Sequence, residues 1–402
     1  MGALSHLKVL DLSRILAGPW ASQILADLGA QVIKVENPAG GDDTRGWGPP
    51  FMSDEAGEDS GESAYFMCTN RGKQSVCVDM KTAEGQATLR QLAGECDVLI
   101  ENFKVGGAAA FGLDYTALSA LNPGLVYCSI TGFGQTGPYR DRPGYDFLVQ
   151  AMGGLMSVTG QPDGAEGAGP QKVGVALTDI MTGLYATIGI LAALSERDRS
   201  GLGQHVELAL LDVTAATLAN QATNYLVGGI NPTRLGNAHP NIVPYQSFVA
   251  KDGHLIVAVG NDAQFRRYVD VLGCPGLADD PRFARNSDRV HNRNALVPLL
   301  QAKMLERSKG EWLQLLEAVG VPAGPINTVA EVFEEPQIQA RGMQVNVPHP
   351  HNAGLQLVGN PIKLSRTPVE YRRPPPLLGE HTERVLSSLH NSKNVETGDD
   401  GV

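Results

Sequence analysis

Short apolar runs alternate with stretches of helical periodicity over the first 135 residues of the chain. "LKVLDLS" reads as a buried strand, and "GPWASQILADLGA" as a helix with Pro19 in its first turn and Gly29 near its end. "QVIKVE" supplies the next strand, so the chain opens with a βαβ unit. The alternation continues through "SVCVDM", the helix-like "TAEGQATLRQLAGE", "DVLIENF" and "LVYCSI". Strands interleaved with helices predict a parallel sheet covered on both faces. Residues 37–64 are rich in Gly, Pro and acids and read as a long surface loop. A long apolar helix is expected from Thr178 through "DIMTGLYATIGILAALSE", then a strand, "QHVELALLD", and the helix-like "VTAATLANQATNYLVGG".

The pattern changes between 230 and 328. A loop, "INPTRLGNAHPNIVPYQSF", leads into a short strand, "HLIVAVG", and three amphipathic helices. The predicted organisation is therefore α/β: a Rossmann-like, discontinuous large domain (1–229, resuming at 329–402) around a smaller α+β domain (230–328). A closing helix follows "RRPPPLLGEHT", and a mobile tail is expected at 391–402.

Composition narrows the function. Hydrophobic residues are 42% and charged residues 19% of the chain, a globular balance. A net charge of −11 argues against nucleic acid or an anionic membrane as partner, so an anionic ligand would need a local cationic pocket. The apolar run "LYATIGILAAL" is read as too short to span a bilayer. "MGALSHLKVLDLSR" enters a strand directly, without the pattern of a secretory leader. Cys68, Cys77, Cys96, Cys128 and Cys274 are scattered, which favours reduced thiols over a metal site or disulfides. The expectation is a soluble, cytoplasmic protein.

"SITGFGQTGP" (129–138) carries Gly132, Gly134 and Gly137 at the spacing of a dinucleotide fingerprint. That fingerprint needs its third glycine in the first turn of a helix, facing a pyrophosphate. Here Gly137 runs into "PYRDRPGY", a loop, and no acidic residue closes a following strand. A nicotinamide oxidoreductase is set aside, and the glycines are expected to let loops approach closely.

"KVLDLSRILAGPWASQILADLGAQVIKVE", "GDDTRGWGP", "LIENFKVGG", "YCSITGFGQTGP" with "GYD", and "GVALTDIMTGLYATIGILAAL" occur in one order. With "RLGNAHPNIVPYQSF", "GVPAGPIN" and "PPLLGEHT", they make the chain resemble the class III CoA-transferases, the CaiB/BaiF family, over nearly its whole length. "TNYLVGG", "GPINTVAEVFEEPQ" and "RRPPPLLGEHT" are most similar to the succinyl-CoA:glutarate subgroup. The resemblance implies an interlocked homodimer and acyl-CoA as substrate, with no metal and no tightly bound cofactor. It also implies a covalent aspartate at Asp179, which could equally cap or complement its helix; helix-end N–H groups would then keep the carboxylate ionised. CoA contacts are implied at Leu16, Ala17, Val78, Lys81, Asn102, Phe103, Lys104, Arg142 and Tyr145. Arg45, Trp47, Arg234, His239 and Gly260 are candidates for the acceptor, a dicarboxylate whose far end needs a cation.

The chain departs from relatives at three places. Ala110 stands where formyl-CoA transferases often have a CoA-binding arginine, with Lys104 as its replacement. Asn37 follows Glu36 where arginine is common, and Leu16 replaces a glutamine associated with oxalate. Formyl-CoA/oxalate and carnitine types are therefore second choices. A racemase of the same fold is weaker still, since Gly144 and Tyr145, not His, precede Asp146. A non-catalytic acyl-CoA-binding protein would have no use for the nucleophile Asp179.

Overall fold

The computed structural model describes residues 2–396, with side chains through 389. Its compact units are 1–155 with 173–222 and 336–402, and 156–172 with 223–335. The second unit thus begins seven residues before the expected boundary, ends seven after it and takes in 156–172.

The first unit is built on six parallel strands: β1 (Lys8–Asp11), β2 (Gln31–Glu36), β5 (Lys73–Cys77), β6 (Val98–Glu101), β7 (Val126–Thr131) and β8 (His205–Ala209). Strands β3 (Phe51–Ser53) and β4 (Asp59–Ser63) form a separate antiparallel hairpin. The order across the large sheet is β5-β2-β1-β6-β7-β8, with sequence neighbours β1 and β2 in register from Lys8 opposite Gln31. Winding outward from β1 in both directions is the doubly wound arrangement, in which β1 and β6 flank a topological switch. Helices cover both faces, and the strands send apolar side chains to both: Val9, Val32, Val98, Ile100 and Val126 face one core, and Leu10, Ile33, Val76, Leu99 and Tyr127 the other.

The stretch 37–64, expected to be surface loop, is more ordered than its composition suggested. Besides the hairpin it holds a 3-10 turn, Asp43–Gly46, and Asp42, Thr44 and Arg45 are buried. Charged residues there are internal because each finds a charged partner.

The opening helix Ala17–Asp27 packs on the long helix Leu177–Ser200. At 24 residues, with mean hydropathy 1.6 in its most apolar window, the long helix is long and apolar enough to cross a bilayer, contrary to the sequence reading. Here it is a core helix: Ala186, Ile190, Ala193 and Leu194 are buried against the sheet. The five cysteines are free thiols.

In the second unit, β9 (Tyr245–Ala250), β10 (Gly253–Ala258) and β11 (Ala323–Pro325) form an antiparallel sheet in the order β11-β10-β9. β9 had read as loop because it follows a Pro- and Asn-rich run. Phe248 and Ala250 nevertheless alternate inward to a core with Leu255, Val257 and Trp312. The closing helix Thr382–Glu396 extends into the stretch expected to be mobile, and residues 397–402 lie outside the described residues.

The contact between the two helices depends on Gly183. A Cβ there would lie 2.7 Å from the Ala17 carbonyl oxygen and 3.0 Å from Trp20 Cβ. Gly183→Val should therefore part the helices and cost about 1–3 kcal/mol, the range for overpacking. Denaturant unfolding measures it; an unchanged midpoint would show that the close approach is dispensable.

Candidate active site

Ligands of doubly wound sheets bind beyond the carboxyl ends of the strands at the switch point. In this chain that is where β1 and β6 end, and a cleft of about 230 Å³ opens there. It brings together Leu16, Ala17, Asn102, Phe103, Lys104, Arg142, Tyr145 and Asp179, residues separated by up to 163 positions in sequence. Arg14, Ile15, Asp43, Arg140 and Asp146, none of them singled out as site residues from the sequence, share its walls.

Each wall is fixed locally. After β6, the Glu101 carboxylate accepts the Phe103 N–H at 2.7 Å, and burial pushes the Glu101 carboxyl up to about 7. Asn102 reaches across to the turn after β1: its Oδ1 accepts the Arg14 N–H at 2.9 Å, and its Nδ2 donates to the Arg14 carbonyl at 2.7 Å. After β7, Gly132 meets Gly144. A Cβ on Gly132 would lie 2.5 Å from the Gly144 Cα, so both positions exclude a side chain. The glycine at 132 thus serves a close approach of two loops. Gly137 lies in a loop, and the next helix starts only at Asp146.

Asp179 is the third residue of the long helix and is half-buried. The expectation that helix-end N–H groups keep it ionised is corrected by the structure. Those of Thr178 and Asp179 donate to the Asp146 Oδ2, at 2.9 and 3.3 Å. Burial, and then the negative charge of Asp146, push the Asp179 carboxyl up to about 7. One carboxylate has the helix end and the other is left above the usual aspartate range. Tyr65 feels the same charge: its phenol is pushed up to about 12, by burial first and Asp179 next. The Tyr65 ring also takes Trp47 edge-on, with centroids 5.1 Å apart. Nothing in the periodicity of "SAYFM" marked Tyr65.

Other candidates are engaged elsewhere. The Arg45 guanidinium was a candidate cation for the acceptor, but it is buried and already matched. It makes two 2.8 Å bonds to Glu36, a 3.3 Å contact to Glu62 and a 3.0 Å bond to the Pro376 carbonyl, and lies 3.7 Å over the Phe66 ring centre. Trp47 does not line the cleft, and neither does Val78, whose side chain is in the core, nor the exposed Lys81. Arg234, His239 and Gly260 belong to the second unit. There Arg234 pairs with Asp163, the His239 Nδ1 accepts the Asn241 N–H at 3.0 Å, and the Gly260 N–H donates to Gln264 at 2.7 Å. Lys104 lines the cleft and Ala110 does not. Arg142 is stacked 3.9 Å over the Tyr139 ring centre.

The model of CoA-transferase family III matches residues 4–382. The chain belongs to this family. It is 52% identical to a succinate–glutarate CoA-transferase of Agrobacterium fabrum, with 98% of this chain and 97% of the relative aligned. It is 42% identical to the human succinyl-CoA:glutarate CoA-transferase, over 96% of this chain and 86% of that one. Among solved structures, a CaiB/BaiF family protein from Brucella suis superposes with a TM-score of 0.84 at 51% identity, covering 96% of this chain and 99% of that one. The protein is a CoA-transferase, and a CoA ester is its substrate.

The acidity of Asp179 can be measured directly. A carboxyl-detected NMR titration should place its midpoint near the value of about 7 that its surroundings impose. In Asp146→Asn the amide oxygen still accepts from the helix end while the charge is gone, so the midpoint should fall. An ordinary aspartate midpoint in the unmutated protein would refute this electrostatic picture.

Proposed function

We propose that this enzyme moves CoA between succinyl-CoA and a dicarboxylate of the glutarate class, with Asp179 as the covalent carrier. The observation that carries the mechanism is the placement of Asp179 in one cleft with the turns after β1 and β6 and with Arg14, Lys104, Arg140 and Arg142. The choice of substrates is supported by the relatives named above.

The Asp179 carboxylate attacks the thioester carbonyl of the donor, and the C–S bond breaks to release CoA thiolate, leaving a mixed anhydride. The thiolate attacks the aspartyl carbonyl, which frees the donor acid and forms an aspartyl-CoA thioester. The acceptor carboxylate displaces the thiolate from that carbonyl, and the thiolate then takes the acceptor's acyl group, regenerating Asp179. Each step exchanges one activated carbonyl for another, so the thioester's energy is retained. A carboxyl held near neutrality is ionised in part at physiological pH and more basic than an ordinary aspartate, which favours attack. We assign Lys104 and Arg142 to the CoA phosphates, with Leu16, Ala17, Asn102, Phe103 and Tyr145 lining its path. The N-terminus of the opening helix, at Ala17, favours negative charge at the same cleft.

Asp179→Ala and Asp179→Asn should abolish transfer while CoA binding and folding persist, because neither side chain can form the anhydride. Substantial turnover by purified Asp179→Ala would overturn the mechanism. For the acceptor, both carboxylates must be matched, since an unpaired buried charge is costly. Glutarate should therefore be used and valerate, of equal length, rejected. The same comparison in Arg14→Ala, Arg234→Ala and His239→Ala identifies the distal cation, and we expect glutarate and succinyl-CoA to weaken together through one shared pocket. Equal rates with glutarate and valerate would sink the dicarboxylate assignment.

We also propose a homodimer, interlocked as the family resemblance implies. Phe147, Leu148 and Met152 of the helix Asp146–Met152 are exposed, as are Leu184, Tyr185 and Ile188 on the long helix that packs beside it. Such an apolar face is a liability unless another surface covers it. Sedimentation at nanomolar concentration should still show a dimer; a freely reversible equilibrium with folded monomer would exclude interlocking.

A further inference from the structure

Ile15 begins the turn that carries Leu16 and Ala17 into the cleft, and its φ is +73°. A side chain branched at Cβ is all but excluded from the left-handed region by contact with its own backbone. Where such a residue persists, its surroundings must hold it there. The Ile15 N–H donates to the carboxylate of Asp42, 3.2 and 3.3 Å from its two oxygens. Asp42 is buried and lies 2.8 Å from the Nζ of the fully buried Lys34, which also donates to the Ser13 carbonyl at 3.0 Å. With Asn102 bonded to both the N–H and the carbonyl of Arg14, four consecutive backbone groups of this turn end on side chains from other elements.

A buried ion pair is a poor device for stability, since a well-packed apolar pair of similar size does as well or better. It is a good device for fixing where a loop goes. Glycine would adopt the Ile15 backbone freely, yet the chain has isoleucine there, at the cleft wall. On the far side of the turn, the Ala17 carbonyl abuts Gly183, one helical turn beyond Asp179.

We propose that Asp42, anchored by Lys34, is a positioning residue for CoA transfer: it keeps Ile15 left-handed and so holds the Leu16–Ala17 turn in register with Asp179. The inference rests on Asp179 carrying the acyl group. When the carboxylate is lost, Ile15 relaxes to an ordinary backbone conformation and the turn leaves the reacting carbonyl. Misplacement of this kind lowers the rate of the chemical step more than the affinity for the CoA ester.

The test is rescue by glycine. Asp42→Ala, which leaves the Ile15 N–H no acceptor at that position, should lower kcat by about tenfold or more, with KM for succinyl-CoA changed by less than about threefold. Adding Ile15→Gly should bring kcat back to within about threefold of Ile15→Gly alone, because glycine takes the left-handed turn without help. A merely structural role predicts no rescue. Unchanged kcat in Asp42→Ala, or a double variant no faster than Asp42→Ala, overturns the proposal. If Asp42→Ala fails to fold because Lys34 is left charged and unpaired, the neutral background Lys34→Gln/Asp42→Ala takes its place, with the same rescue expected and the same failure decisive. In the unmutated protein the Ile15 amide should exchange with solvent as slowly as those of β1, and exchange at open-loop rates overturns the clamp whatever the variants do. Asp179→Asn, assayed alongside, separates the two ideas. Transfer that survives in it refutes the covalent carrier, whereas transfer lost in it but untouched in Asp42→Ala refutes only the clamp.

Discussion

The Asp146 carboxylate fixes where the long helix begins, and the site follows from that. A helix end carries N–H groups with no partner of their own, and here Asp146 Oδ2 accepts two of them, from Thr178 and Asp179. Gln150 secures the arrangement: its Nε2 donates to Asp146 Oδ1 at 2.7 Å, and its Oε1 accepts the Val173 N–H at 2.9 Å, tying down the approach to the helix. Asp179 is thereby presented at the cleft wall without the hydrogen bonds that would have made it an ordinary, fully ionised aspartate. Two carboxylates at one helix end have been given different environments, and the one without the helix-end bonds, Asp179, is held above the usual aspartate range. In the proposed reaction the capped one is the support and the uncapped one the nucleophile.

The sheet determines what faces Asp179. With β1 and β6 adjacent at the switch, the turns that follow them stand opposite each other, and the loop after β7 closes one side where Gly132 touches Gly144. None of these turns has a helical or strand ladder to hold its backbone. Asn102, Glu101 and Asp42 do that work through side-chain bonds to Arg14, Phe103 and Ile15. The cleft is therefore rigid where it is irregular, which is the requirement for a reaction in which one carbonyl after another must arrive at the same carboxylate.

The large sheet was legible because buried parallel strands are continuous apolar runs, and the opening βαβ unit has unambiguous helix punctuation at Pro19 and Gly29. The positions of Leu16, Asn102 and Asp179 were legible through ordered motifs; their convergence in one cleft follows from strand order, which periodicity does not encode. β9 was missed because its alternation is short and sits behind prolines. Tyr65 and Asp146 as neighbours of Asp179 left no signal, since proximity across elements has no sequence period. The burial of Asp42, Thr44 and Arg45 was hidden for a different reason: composition records charges and not their partners.

That last point explains why Arg45 misled. In a chain with net charge −11, each cation looks like a ligand group. Yet Lys34, Lys73 and Arg45 are all buried, each within 3.1 Å of a buried carboxylate. Asp11 alone gathers Lys73, Ser13 and Ser22. These internal pairs lie at the carboxyl ends of β1 and β2, which Lys73 reaches from the start of β5. Once they are matched internally, the cations that line the cleft are Arg14, Lys104, Arg140 and Arg142. Of these, Arg14 and Arg140 are in exposed ion pairs, with Asp43 and Asp141, which water screens and an anionic ligand can displace. The buried cations shape the cleft, and the exposed ones are left to meet the ligand. Sequence could not divide the two sets because burial, not residue type, is what separates them.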